Sequence, residues 1–353
     1  MPALDALFDK MLGSGASDLH LSEGTHAKLR LHGEVVAMPE FGILDSARIK
    51  AMLRELLDEK RWNVFEGRGD MDFAYAYESK ARFRANYNRQ YAGYGAVFRT
   101  IPSKILTLED LGAPQVLKTF GHLSTGLCLV TGPTGSGKST TLAGVIDYIN
   151  SNMARHILTI EEPIEFVHPL KRSTIVQREV GIDARSFAAG LRAASRQDID
   201  VLLVGEMRDL ETISLAVSGA ETGTLVFGTL HTNSAIKTVD RIIDVFPADQ
   251  QNAIRQTLAV ALKGVCAQLL LKRAGGKGRV AAHEIMLQTL AVSNTIREGK
   301  NSMLYQIIMS NRAIGMQLMD DCIEGLLKAG TVSGEEAFMK ALDKDRFRQY
   351  ATH

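Results

Sequence analysis

The stretch Gly132-Pro133-Thr134-Gly135-Ser136-Gly137-Lys138-Ser139 constrains this chain more than any other. It fits the phosphate-cradling pattern G-x-x-x-x-G-K-[ST], and its flanks supply the context that such a pattern needs. Upstream, Leu127-Cys128-Leu129-Val130-Thr131 reads as a short buried strand. Downstream, Leu142, Val145, Ile146 and Ile149 recur at the spacing of one helix face. Glycines let the backbone curl so that successive N–H groups point inward, and the helix that follows adds its positive end. Residues Gly132 to Thr140 are therefore expected to bind a nucleoside triphosphate. In that role Lys138 reaches the β- and γ-phosphates, and the Ser139 hydroxyl holds Mg²⁺.

A chain of 353 residues is long for one domain, so two are expected, each with its own core. Hydrophobic residues make up 45% and charged residues 23%, the balance of an ordinary globular protein. The formal net charge is +1 with no block of like charge, which argues against a nucleic-acid motor only weakly, because balanced totals can hide a basic face. Cys128, Cys266 and Cys322 lie far apart in apolar segments and read as small buried hydrophobes of a reducing compartment. No C-x-x-C pair points to zinc. Asp5 and Asp9 sit where a signal peptide would carry positive charge, and no apolar run reaches the ~18 residues of a spanning helix. A cytoplasmic protein is expected, with no direct insertion into a membrane.

Along the first hundred residues, Leu4, Leu7, Phe8, Met11 and Leu12 form a helix stripe ending at Gly13, and a second helix is expected from Ser46 to Leu57. Ala27–Leu31, Asp72–Tyr77, Arg82–Asn88 and Gly95–Thr100 alternate as strands of a largely antiparallel sheet. His20 and His32 are lone histidines there, expected to be structural or at the surface. Pro102 and Gly112-Ala113-Pro114 punctuate a connection, which divides the chain into 1–102, a linker 103–116, and 117–353 with helical segments from about 290 onward. In the larger part, strands His156–Ile160, Ile175–Gln177, Val201–Val204 and Thr224–Leu230 alternate with helices capped by Ser186, Asp209 and Asp249. That alternation is the mark of a parallel sheet covered on both faces. Leu269–Arg273 and Arg279–Ile285 flank Gly275-Gly276-Lys277-Gly278 as a hairpin whose basic cluster reads as a solvated turn.

Ligands of an open α/β sheet bind beyond the carboxyl ends of its strands, and three further strands end there in polar groups. One runs into Glu161-Glu162-Pro163, with Glu165 close behind; one into Gly205-Glu206; one into His231-Thr232. An apolar strand that closes in a carboxylate is the arrangement that positions a metal's water shell or a lytic water. Here Gly205 stands where an aspartate is common, leaving Glu206 to orient and polarise the water and Glu162 to add negative charge near Mg²⁺. His231 is placed to read the γ-phosphate. Charge on a transferring phosphoryl group calls for at least one arginine. Arg82, Arg84 and Arg99 in the first domain, and Arg192, Arg196 and Arg208 near the carboxylates, are all candidates, with nothing in the spacing to choose among them.

Taken together these stretches resemble the secretion-type hexameric ATPases, and closely the type IV pilus retraction ATPases. The resemblance runs from Ser17-Asp18-Leu19-His20-Leu21 through Gly95–Pro102 to Gly315-Met316-Gln317. Gly132–Ser139 is similar to the family's Walker A motif, Ile160–Glu165 to its Asp box, Val201–Asp209 to its Walker B and Gly228–Asn233 to its His box. The resemblance implies an α/β protein: a PAS-like α+β N-terminal domain, then a RecA-like P-loop ATPase domain, assembled as a homohexamer. It implies ATP as the nucleotide, and Arg82, Arg84 and Arg99 as the arginines that close on its phosphates. It also implies an inner-membrane pilus platform protein as partner, so the motor would be peripheral to that membrane, with pilus retraction and twitching motility as the output. Glu162 stands where the Asp box often has Asp, and Ser195 and Ile199 replace the usual Leu and Pro. The family's A-I-R-N-L-I-R-E motif appears as Ala291–Glu298 with Ser293 and Thr295 at the third and fifth positions.

Three other classes compete with a retraction motor. A pilus assembly or type II secretion ATPase often carries a longer N-terminal region and a four-cysteine zinc element, which this sequence lacks. A RecA-like nucleic-acid motor predicts salt-sensitive DNA or RNA binding. A nucleotide-sensing scaffold would have no use for Lys138, Ser139 and Glu206 as a set.

Overall fold

The computed structural model describes residues 4–31, 33–78, 80–101, 104–276 and 278–351, so His32, Pro102 and Lys277 lie outside the described residues. The chain divides into two units: residues 1–104 together with Glu162–Val167, and Ile105–Glu161 together with His168–His353.

In the first unit six strands form one antiparallel sheet: β1 Asp18–Ser22, β2 Lys28–Leu31, β3 Glu34–Ala37, β4 Asp70–Tyr77, β5 Ala81–Gln90 and β6 Gly93–Ile101, in the order β3-β2-β1-β6-β5-β4. Side chains of a strand alternate between faces, so each rung of the ladder is of one kind. The rung Leu29–Leu19–Phe98–Ala85–Phe73 is buried. The next, Arg30–Asp18–Arg99–Arg84, is polar. Helices Asp5–Ser14, Ser46–Arg54 and Glu59–Arg68 bring Leu7, Phe8, Met11, Ile49, Leu53, Trp62 and Phe65 to the apolar core. Phe8 is at its centre, its ring 4.5 Å from that of Phe83. The first helix runs past Gly13 and stops at Gly15, which takes the left-handed conformation that a C-terminal cap requires.

The second unit holds a seven-stranded sheet: β7 Gly126–Thr131, β8 His156–Glu161, β9 Thr174–Glu179, β10 Val201–Val204, β11 Leu225–Leu230, β12 Leu262–Lys272 and β13 Arg279–Leu287. Its order is β13-β12-β7-β11-β10-β8-β9, parallel throughout except for the β12–β13 hairpin. One face buries Leu127, Leu129, Leu158, Ile160, Leu202 and Val204 under helices Phe187–Ala194, Leu210–Glu221, Ala235–Asp244 and Gln251–Ala261. The other buries Cys128, Val130, Ile157, Leu203 and Phe227 against Leu142, Val145, Ile146 and Ile149 of helix Lys138–Asn152. Helices Met319–Lys328 and Gly334–Lys340 close over Ala267, Leu271 and Ala282 of the hairpin.

Ser186 and Asp209 cap their helices as expected, accepting from Ala189 N–H and Thr212 N–H. Asp249 does not. Gln250 N–H closes a turn on the Pro247 carbonyl, Asp249 is spent within it, and the helix starts at Gln251 with no side-chain cap. Strand β12 begins at Leu262 rather than at Leu269, because a strand buried on both faces is a continuous apolar run with no period of its own to mark its start. Cys128 and Cys266 are buried and Cys322 partly so. Burial raises all three thiols, Cys266 to about 12, as expected of structural cysteines.

Candidate active site

Strand β7 delivers the chain into the glycine loop from a fully buried position. Gly132 has φ 147°, and a side chain there would meet the Gln268 carbonyl at 2.3 Å, so only glycine permits the loop to wind against β12. Gly137, at φ 86°, makes the turn into helix Lys138–Asn152. The Lys138 ammonium is nearly buried and donates to the carbonyls of Gly132 (2.8 Å) and Pro133 (3.1 Å). The Ser136 hydroxyl is buried with no hydrogen-bond partner among the described residues. Ser139 and Thr140 present hydroxyls at the first helical turn, Ser139 exposed and Thr140 partly so. A tucked-in cation, an unsatisfied hydroxyl and a helix N-terminus form a site suited to phosphate. The donor set also fits Mg²⁺, which takes a hydroxyl and completes its shell with phosphate oxygens and water.

At the same edge of the sheet, β10 ends at Gly205 and Glu206. Gly205 N–H donates to the Ile160 carbonyl (2.8 Å), and a side chain on Gly205 would press on the Glu161 backbone at 3.2 Å. Strand β8 thus leaves little room for a side chain at that position, and Glu161 is the carboxylate held beside it. Glu161 Oε1 accepts from Thr159 Oγ1 (2.7 Å) and Gln177 Nε2 (3.3 Å). Glu206 is gripped from two sides: Arg208 donates through Nε and through Nη2 (2.7 Å), and His231 Nε2 lies 3.0 Å from Oε1. Burial is the largest single influence on the Glu206 carboxyl and opposes ionisation. Arg208 and His231 together outweigh it and hold the group below its ordinary value.

His231 follows β11, and hydroxyls connect its segment to the phosphate loop. Thr232 Oγ1 lies 2.7 Å from Thr238 Oγ1, which donates to the Ser234 carbonyl (2.7 Å) and lies 3.4 Å from Thr131 Oγ1 at the end of β7. Thr229 Oγ1 donates to the Gly205 carbonyl (2.5 Å), and Met207 N–H to the Thr229 carbonyl (3.0 Å), tying the Glu206 turn to the His231 strand. Behind both, buried Glu284 accepts from the first N–H of two helices, Ala235 (2.7 Å) and Met319 (3.4 Å), while burial raises its carboxyl.

The remaining candidates belong to other segments of the chain. Glu162 is exposed and belongs to the segment that groups with the first unit. In that unit Arg82 Nη2 reaches the Ile164 carbonyl (3.4 Å), Arg84 Nη1 lies 3.9 Å from Glu165, and Arg99 Nε donates to Asp18 (2.7 Å). His20 shares their sheet face, and burial lowers its imidazole. Arg192 pairs with Glu211. Arg192, Ser195, Arg196 and Ile199 line a cavity of about 440 Å³ that also reaches Thr222 and Thr224, at the opposite end of the sheet from the phosphate loop. Ser293 and Thr295 are each 8% exposed in helix Leu290–Arg297, so small polar side chains occupy packed positions there.

Glu206 and His231, read separately from the sequence, are therefore in contact; Glu161 was marked only by its place at a strand end, and Thr238 and Glu284 carry no signal in the sequence beyond residue type. Among the described residues no helix is long and apolar enough to cross a membrane. A family model described as type II/IV secretion system protein matches residues 1–338. The type IV pilus retraction ATPase PilT of Pseudomonas aeruginosa is 50% identical over 335 residues, covering 94% of this chain and 96% of its own. A twitching motility protein of Neisseria gonorrhoeae is 46% identical over 319 residues, 90% of this chain and 84% of its own. The crystal structure of the pilus retraction motor PilT with bound ADP matches with a TM-score of 0.89 at 41% identity, covering 97% of this chain and 98% of that one. The chain belongs to the type II/IV secretion system protein family, with pilus retraction ATPases among its relatives.

Proposed function

We propose that this chain is an ATP-hydrolysing motor and that the work it drives is retraction of type IV pili. One juxtaposition carries the reading: the phosphate loop leaves β7, and the Glu206–His231 pair stands at the ends of β10 and β11, the next strands of the same parallel sheet. The PilT relative and the PilT structure with ADP support ATP as the nucleotide and retraction as the output.

In this reading Lys138 exchanges the carbonyls of Gly132 and Pro133 for the β- and γ-phosphates. Ser139, with Glu162 adding negative charge nearby, would hold Mg²⁺, which when bound would supply positive charge to the transferring phosphoryl group. Glu206 orients the attacking water. A carboxylate held below its ordinary value is a weak proton acceptor at neutral pH, so its part is aiming and polarising the water rather than early deprotonation. A loose phosphoryl transition state asks for little more. His231 senses the γ-phosphate and passes its loss to the loop strand through Thr232, Thr238 and Thr131. The motor works as a homohexamer in which Arg82, Arg84 and Arg99 close on the phosphates. It acts on an inner-membrane platform protein from the cytoplasmic side, without nucleic acid.

Purified protein is expected to hydrolyse ATP with Mg²⁺ and to run as a hexamer in gel filtration with light scattering, with turnover indifferent to added DNA or RNA. A strict monomer with ATP bound, or salt-sensitive stimulation by nucleic acid, contradicts the reading.

A further inference from the structure

The phosphate loop is wound around one side chain of the neighbouring strand. Gln268, on β12, is 3% exposed, and both ends of its amide are engaged. Its Nε2 donates to the Ser136 carbonyl (2.6 Å), and its Oε1 accepts from Thr141 Oγ1 (2.8 Å), one turn into the helix beyond the loop. The loop's glycines face the same residue. A side chain on Gly132 would strike the Gln268 carbonyl at 2.3 Å, and one on Gly137 would come within 2.9 Å of Nε2. Loop entry, loop centre and first helical turn are thus referenced to a single residue that sequence reading had placed in no role.

The Ser136 bond has a specific consequence. In a planar trans peptide the carbonyl and the following N–H point in opposite directions. Pinning the Ser136 carbonyl onto Gln268 therefore holds the Gly137 N–H turned away from the Gln268 amide, in a loop whose Pro133, Thr134 and Gly135 are exposed. Without the amide donor, that carbonyl is left buried and unpaired and the peptide is free to rotate, which removes one preset phosphate donor.

We infer that Gln268 is a positioning residue for nucleotide binding: it presets the Ser136–Gly137 peptide to receive a phosphate without touching the nucleotide itself. The inference rests on the phosphate loop being the nucleotide site. A contact to a phosphate that is held before, during and after γ-phosphate transfer acts chiefly on binding, so its loss raises KM more than it lowers kcat.

The test is titration of fluorescent ADP and steady-state ATP hydrolysis with the full chain. Gln268→Glu keeps shape and the acceptor for Thr141 but replaces the donor with a charge facing a carbonyl. Its Kd for ADP and KM for ATP are expected to rise on the order of tenfold or more, with kcat falling less than about threefold. Gln268→Met removes both bonds at similar volume and carries the same expectation. Thr141→Val removes only the second anchor and is expected to weaken ADP by about threefold, while Thr141→Ser matches wild type. Unchanged affinity in folded Gln268 or Thr141 variants overturns the positioning role, as does a loss confined to kcat. Wild-type protein that fails to bind ADP overturns the nucleotide site itself, so the two failures are told apart within one experiment.

Discussion

Glu206→Gln is expected to bind ATP and ADP within about threefold of wild type while its turnover falls by about 10²–10⁴-fold, the range that a positioned acid–base group contributes. The amide keeps the shape of the carboxylate and can still meet His231 and Arg208. It loses the charge that aims a water's protons and frees its lone pair for phosphorus. Arg208 and His231 already keep Glu206 ionised, so the substitution removes a charge that is present throughout the neutral range. Single-turnover hydrolysis beside nucleotide titration checks this. Wild-type turnover in the folded variant contradicts the role given to Glu206, and so does loss of binding equal to loss of turnover.

Lys138→Ala is expected to fail earlier, at binding. The ammonium makes charge-assisted hydrogen bonds to phosphate oxygens, each worth about 1.5–3 kcal/mol. Two of them set the expected loss of ATP affinity at ~100-fold or more. In the free protein the same ammonium holds the Gly132 and Pro133 carbonyls, so the variant also loosens the loop entrance. The contrast between the variants is itself the check, with calorimetric titration reading binding and phosphate release reading turnover. Glu206→Gln retains ADP and does not turn over ATP, whereas Lys138→Ala retains neither. Tight ADP binding by Lys138→Ala contradicts the phosphate-loop reading.

The parts of this site that were legible in the sequence are those in which residue type and spacing are both forced. Gly132, Gly137 and Lys138 follow a pattern set by backbone conformation and phosphate geometry, and the strands ending at Glu206 and His231 are apolar runs bounded by polar residues. Contacts across the sheet were not legible. Gln268 lies 132 positions from Ser136, and its role is created only where β12 runs beside β7. Glu161 and Glu162 are indistinguishable as letters. The fold keeps Glu161 at the end of β8, within reach of Thr159 and Gln177, and carries Glu162 into the segment that groups with the first unit.

Elements were missed for related reasons. Strand β3 is exposed along its whole length, so it has no alternation to detect. Helix Glu59–Arg68 buries only Trp62 and Phe65, too narrow a stripe to stand out from its charges. Strand β1 alternates polar and apolar residues over only five positions, too short a run to stand out. The first unit's α+β class was nevertheless clear from β4, β5 and β6, whose longer alternation survives the arginines on their polar face.

The central claim, that ATP hydrolysis by this chain withdraws pili, is tested most directly by counting surface pili on cells that lack the protein, beside a complemented strain. Excess pili with lost twitching, both reversed by the wild-type gene and not by the Glu206→Gln variant, are the predicted result. Bald cells would contradict it, because they would mean that the motor extends pili rather than retracting them.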